Sequence, residues 1–232
     1  MIKEAIILAG GLGTRLRSAV PDLPKCMAPV AGKPFLSYVI DHFRKEGVER
    51  FIFSLGYKHE VIEAYLLTAY AGLEYECVIE SEPLGTGGGI KLACNLIEGE
   101  SALILNGDTL FKISTESLYE DYSKNKVACI ISLKTMKSFD RYGAVEIDAD
   151  GYIINFKEKQ YYEKGLINGG VYLLNVPAFL KLNLPSMFSF EKDYLEKQAG
   201  TKDLRGIVQD SYFIDIGIPS DFELAQRDFL SL

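Results

Sequence analysis

The sequence predicts an α/β fold, a mixed but mainly parallel sheet flanked by helices, on three observations. Short apolar runs rich in β-branched residues alternate with helical stretches up to Asp108. Glycines follow the first run at once, which delivers a loop at the carboxyl end of a buried strand. After Asp108 the texture changes to strand-like pieces with few helices between them. The chain has 232 residues, 48% hydrophobic and 25% charged. That length buries roughly 70–75% of its unfolded surface, so neither a metal nor a disulfide is needed to hold a core.

"EAIILAG" reads as the first strand. "FLSYVIDHFRKEG" has helical spacing, with Pro34 suiting its start, Phe35, Val39, Ile40 and Phe43 forming the apolar stripe, and Gly47 stopping it. "RFIFSLG", "LEYECVIES" and "SALILNGD" read as further strands, with helices in "KHEVIEAYLLTAYAG" and "GGGIKLACNLI" between them. Repeated strand then helix predicts a parallel sheet whose ligand lies at the strand carboxyl ends. In the second half "KVACIISLK", "GAVEID", "YIINFKEK" and "GLINGGVYLLN" read as strands and hairpins that cover that ligand. "SYFIDIG", Pro219 and a helix through "SDFELAQRDFLSL" follow. One domain is expected over 1–232, with a nucleotide-binding half at about 1–110 and a second half at about 111–232. No linker, repeat or hexapeptide β-helix is visible.

Cys26, Cys77, Cys94 and Cys129 are widely spaced, which argues against a zinc site and a secreted disulfide framework and for a reducing cytoplasm. No signal peptide or spanning segment is expected, so no membrane partner. The net charge of −7 disfavours nucleic acid. Up to Lys33 the sign reverses, since Lys3, Arg15, Arg17, Lys25 and Lys33 face only Glu4 and Asp22. Such a local basic site suits a compact polyphosphate.

"GGLGTRL" fails two familiar phosphate loops. Leu16 stands where the dinucleotide fingerprint needs its third glycine, and no G-x-x-x-x-G-K-[ST] string occurs. What is left is a loop whose backbone N–H groups come close to a phosphate, with Arg15 and Lys25 adding charge-assisted hydrogen bonds. Asp108 ends an apolar strand at its carboxyl edge, and Asp215 in "FIDIG" repeats that setting, so the two are candidate Mg²⁺ ligands. Taken alone, either aspartate is also a reasonable cap or turn residue. Asp148 to Asp150, "DAD", could pose as the metal motif of a glycosyltransferase, but "VEIDADGYII" has the pattern of a hairpin turn. His42 and His59 lie in helices without a metal partner at suitable spacing.

"LAGGLGTRL" followed by "PK", and then in order "EPLGTGGG", "LNGD", "YGAVEID", "FKEK", "NGGVYLL" and "DIGIPSDFELA", resembles the sugar-1-phosphate nucleotidylyltransferases over nearly the whole chain. The resemblance implies a Rossmann-like fold of the nucleotide-diphospho-sugar transferase type. It also implies a magnesium-dependent reaction of a nucleoside triphosphate with a sugar 1-phosphate, giving a nucleotide sugar and pyrophosphate. Within the family, "LRSAVPDLPKCMAPVAGKPFLSYVI" most resembles the D-glycero-α-D-manno-heptose 1-phosphate guanylyltransferases. The chain is also similar to N-acetylmuramate 1-phosphate uridylyltransferases and to short mannose 1-phosphate guanylyltransferases. A nucleotide-sensing module without turnover is the other class of reading.

On that resemblance Arg15 and Lys25 serve the triphosphate. Leu8, Ala9, Gly10, Gly11, Gly13 and Thr14 form the nucleotide loop, joined by Asn106 and Gly107. Gly85 and Thr86 offer backbone groups to the base, and Glu80 or Glu82 accepts from it. A carboxylate only accepts hydrogen bonds, which favours guanine and admits uracil. Lys159 neutralises the sugar phosphate and Glu158 holds sugar hydroxyls. Gly143, Asn168 and Gly169 are further sugar contacts, where missing side chains let hydroxyls approach the backbone. Three positions depart from the family pattern: Gln160 and Cys26 stand where proline is usual, and Ile218 where threonine is. Cys26 is read as inert packing, although its neighbour Lys25 is of the kind that lowers a thiol pKa. The apolar face of the terminal helix is expected to pack internally or against a second copy in a homodimer.

Overall fold

The computed structural model describes residues 1–11, 16 and 20–230. Strand β1 (Glu4–Leu8) is apolar, and Ala5, Ile6 and Ile7 are fully buried. A short 3₁₀ turn, Lys25–Met27, leads into a tight hairpin of β2 (Pro29–Val30) and β3 (Lys33–Pro34). Three units of helix and strand follow: α1 (Phe35–Lys45) and β4 (Arg50–Leu55), α2 (His59–Ala69) and β5 (Glu74–Ile79), α3 (Gly85–Ala93) and β6 (Ser101–Asn106). As expected, α1 starts after Pro34, and Phe35, Val39, Ile40 and Phe43 are buried along one face. Gly47, just beyond its end, takes the positive φ that stops it.

The second half runs through β7 (Thr109–Phe111), α4 (Thr115–Asn125), β8 (Cys129–Phe139), β9 (Ala144–Ile147), β10 (Ile153–Phe156) and the long β11 (Tyr162–Asn175). Then come α5 (Val176–Leu180), a π-helix over Phe190–Leu195, α6 (Glu196–Gln198), β12 (Leu204–Val208), β13 (Phe213–Asp215) and α7 (Pro219–Leu230). Sequence reasoning expected few helices here and missed α4, the π-helix and β12.

A nine-stranded sheet carries β6-β1-β4-β5 as a parallel block, with β11 added antiparallel to β6. Strand alternation splits the core. Ile7, Phe51, Phe53 and Leu105 pack on the face of α1 and α2, while Ile6, Ile52 and Ile104 pack on the other face with Phe179, Phe190 and Tyr194. Each buried side chain of this size contributes about 1.5–3 kcal/mol. The Asp148–Tyr152 segment is the expected hairpin turn: Asp148 Oδ1 accepts from Asp150 N and Tyr152 N, and Gly151 takes φ +87°.

At the amino ends of the parallel strands Arg50 is buried against Glu4 (2.5 Å) and Glu76, with Glu74 at 3.7 Å and Glu98 at 3.9 Å. Glu4 also accepts the backbone N–H groups of Glu98 and Gly99. At the other end of the chain, Gln226 on α7 grips the early hairpin, accepting from Ala31 N (2.9 Å) and donating to Pro29 O. Among the described residues no helix is long and apolar enough to cross a membrane.

Candidate active site

Strand pairing assembles the site. Strand β7 leaves β6 through Gly107 and Asp108 and pairs antiparallel with β13, setting Thr109 opposite Asp215. Ile216 N donates to Asp108 O (3.1 Å), so two aspartates far apart in sequence become neighbours. Lys25 Nζ lies between them, 2.5 Å from Asp108 Oδ2 and 3.3 Å from Asp215 Oδ1. Burial alone would lower the Lys25 pKa, but Asp108 and then Asp215 outweigh it and hold the ammonium above its ordinary value. Burial raises the Asp215 carboxyl, Lys25 opposes that, and the net shift is upward.

Gly217 shows why glycine follows "DI". Its N–H donates to Asp215 Oδ1 (2.7 Å), and a Cβ there would lie 2.8 Å from that oxygen and 3.1 Å from Lys25 Nζ. Cys26 is buried, and burial together with the charge of Asp108 pushes its thiol up to about 12, so it is a packing thiol at neutral pH. Among the described residues no three His, Cys, Asp or Glu side chains converge as a metal site. The aspartate pair therefore offers two hard oxygen donors to a cation that draws the rest of its shell from elsewhere.

A cavity of about 580 Å³ opens beside Asp108, at the carboxyl ends of β1, β4 and β6. Leu8, Gly10 and Gly11 form one wall; Glu80, Glu82, Gly85 and Thr86 form another, with Asn106 at the base. Ala9 is buried behind the wall, donating to Ser54 O (2.9 Å). Gly107 N donates to Leu8 O (2.9 Å). Glu80 is fixed: Oε2 accepts Leu84 N at 3.0 Å and Oε1 accepts the Ser54 hydroxyl at 3.3 Å. Sequence reasoning missed Tyr57 and Glu191, which also line the cavity. Gly13, Thr14 and Arg15 lie outside the described residues.

The glycines of "GTGGG" do not open the helix start to a ligand as a group. A Cβ on Gly87 would meet the Phe188 ring at 2.2 Å, one on Gly88 would meet Ser186 O at 2.2 Å, and one on Gly89 would meet Glu80 and Ser54 at 2.8 Å. They admit a strap, the segment 184–191, over the start of α3. Gly85, at φ +73°, and Thr86 line the cavity, and a Cβ on Gly85 would likewise meet the strap, at Phe188 O (2.6 Å).

The expected sugar contacts are placed differently from the nucleotide wall. Gly143, Glu158, Lys159, Asn168 and Gly169 do not line this cavity, and Glu158 and Lys159 are exposed. The space beside Gly143 is filled by Lys157 O (2.4 Å) and that beside Gly169 by the Phe111 ring (2.4 Å), so their missing side chains make room for protein. The Asn168 amide shapes a bulge in β11, accepting from Gly170 N (3.0 Å) and donating to the Tyr172 hydroxyl (2.9 Å). His42 approaches Ile113 O and His59 approaches Glu63, with no metal geometry at either.

The family model for nucleotidyl transferases matches residues 4–231. This chain belongs to that family. It is 49% identical to the D-glycero-alpha-D-manno-heptose 1-phosphate guanylyltransferase of Aneurinibacillus thermoaerophilus, over 97% of each chain. The protein of the same name from Campylobacter jejuni is 43% identical over 94% of this chain and 96% of its own. Among solved structures, HddC from Yersinia pseudotuberculosis complexed with GMP-PN matches with a TM-score of 0.87 at 37% identity, covering 98% of this chain and 100% of that one. The nucleotidyl transferase fold expected from the sequence is therefore the fold of this chain.

Proposed function

We propose that this nucleotidyl transferase joins GTP and D-glycero-α-D-manno-heptose 1-phosphate into GDP-heptose and pyrophosphate. The observation that carries the reading is the Lys25–Asp108–Asp215 cluster beside a cavity walled by a glycine loop, the fixed carboxylate of Glu80 and the exposed one of Glu82. The two relatives named for this activity, similar over nearly their full length, support it.

A phosphate oxygen of the sugar attacks the α-phosphorus, the new P–O bond forms, and the bond to pyrophosphate breaks with its electrons leaving on pyrophosphate oxygen. The obstacle is repulsion between anions, so positioning and charge do most of the catalysis. Lys25 holds positive charge where phosphates converge, and Arg15 adds to it. Asp108 and Asp215 would hold Mg²⁺, which supplies charge neutralisation at the phosphates. Glu80, with Glu82 beside it, accepts from guanine N1–H and the 2-amino group; Glu80 needs no reorganisation because Ser54 and Leu84 already hold it. Residues 1–110 act as the nucleotide half of one domain and 111–232 as the sugar half, where Lys159 pairs with the sugar phosphate and Glu158 accepts from sugar hydroxyls, while Gly143, Asn168 and Gly169 shape the strands behind them. The substrates are small molecules met in the cytoplasm.

Pyrophosphate release measured over GTP, UTP, dTTP, CTP and ATP against heptose, mannose, glucose and N-acetylmuramate 1-phosphates tests base and sugar together. Preferred turnover of GTP with the heptose phosphate is expected; preference for UTP with N-acetylmuramate 1-phosphate would overturn the substrate assignment. Silence across the matrix would overturn catalysis itself.

A further inference from the structure

Glu191 is a cavity carboxylate for which the nucleotide reading has no role. It stands second in the π-helix Phe190–Leu195, a rare element that recurs at functional sites. Ser189 caps that helix, its hydroxyl accepting from Lys192 N and its N–H donating to Asp193. One oxygen of Glu191, Oε2, is anchored by the hydroxyls of Thr86 (2.9 Å) and Ser189 (3.2 Å). Among the described residues its other oxygen has no hydrogen-bond partner, and the side chain lines the cavity that also holds Asp108.

The position within the cavity separates Glu191 from the base readers. Glu80 is fixed from β4 and the start of α3, whereas Glu191 enters on the strap from the side of β11. There the Phe190 ring packs edge-on against Tyr172 at 5.1 Å. The Tyr172 hydroxyl takes the Asn168 amide, and burial together with the charge of Glu191 holds that phenol above its ordinary value. Thr86 of the nucleotide wall thus holds the carboxylate directly, while Asn168 of the sugar half holds the Tyr172 hydroxyl, whose ring packs on the neighbouring Phe190. A half-anchored carboxylate with a free oxygen is suited to accept from hydroxyl groups of a polyol, and a phosphate would be repelled by it.

We propose that Glu191 is a specificity-determining residue that accepts hydrogen bonds from hydroxyls of the sugar 1-phosphate; this rests on the reading of the site as a sugar-1-phosphate guanylyltransferase. Glu191→Gln keeps an oxygen for Thr86 and Ser189 while removing the charge. With D-glycero-α-D-manno-heptose 1-phosphate varied at saturating GTP, the KM for the sugar phosphate is expected to rise about tenfold, the scale of one hydrogen bond to a charged acceptor. The KM for GTP, kcat and the melting temperature should stay near wild type. Glu191→Asp, which keeps the charge, should recover most of the loss. A rise in the GTP KM instead would assign the carboxylate to the nucleotide and overturn the inference. No change in either KM would leave it a strap anchor and overturn it equally. If Glu191→Gln melts lower, the inference stands only if an equally destabilised Glu191→Asp keeps the sugar KM low. A wild-type enzyme silent with every sugar phosphate would sink the reading of the site along with the inference.

Discussion

The two ends of the parallel strands carry ion clusters built on opposite plans. At the amino ends one guanidinium, Arg50, is surrounded by Glu4, Glu74, Glu76 and Glu98, and Glu4 is further satisfied by two backbone N–H groups. At the carboxyl ends one ammonium, Lys25, bridges two aspartates that each stay partly open to solvent. In the first cluster the Arg50–Glu4 pair at its centre is buried and fully partnered, which is a folding role. The second leaves both carboxylates partly open beside the cavity, which is the setting the proposed reaction needs for phosphates and a cation.

Breaking each cluster should separate these roles. The largest effect is expected at Lys25: Lys25→Ala should lower turnover by about 10²–10³, the cost of one transition-state donor. Its urea midpoint should stay close to wild type, because both aspartates reach solvent; a fall in folded protein with unchanged activity per folded molecule would erase the contrast. Arg50→Met should show the converse. Removing the cation strands Glu4 in a buried site, at a cost of about 3–5 kcal/mol in urea unfolding, with kcat of the folded fraction within twofold.

Two smaller tests concern the strap. Gly88→Ala would set a Cβ 2.2 Å from Ser186 O, which is backbone and yields only by moving the strap. A loss of about 1–3 kcal/mol is expected, with the sugar KM rising more than that of GTP. The smallest effect is pH dependence at Asp193. The Ser189 N–H, and then Lys197, hold its carboxyl below the ordinary range. Its contribution is therefore fully present above the unfolded value of about 3.9 and is lost as pH falls through the lower folded value. The protection of the Ser189 amide, its exchange rate relative to that of the unfolded chain at the same pH, should fall as pH drops below about 3.9, and Asp193→Asn should abolish that pH dependence.

The sequence made the nucleotide half legible because its signals are local. Apolar runs and the α1 stripe announce the parallel block, and the position of Asp108 at a strand end follows from the run before it. Long-range packing was not legible. The glycines at 87–89 look like a ligand loop until Ser186 and Phe188, about a hundred residues on, are seen to fill their space. The polar helix α4 has few apolar residues to mark a period, and the strand in "LRGIV" is fixed by pairing with β8. Glu191 carried no signal beyond Ser189 and Asp193 four positions apart, the capping pair of the π-helix. Glu158 and Lys159 rest on resemblance alone, since their own surroundings are solvent.

The pairing of Lys25 with Asp215 spans 190 positions, and Gln226 reaches back to Ala31 across 195. At roughly 5–20 residues per second a ribosome takes on the order of ten to forty seconds to pass from one partner to the other. For that interval the glycine loop and Lys25 exist without the second aspartate or the helix that grips their hairpin. The ion cluster at the carboxyl ends of the strands and the clasp on the hairpin therefore close only after residues 215 and 226 have been made.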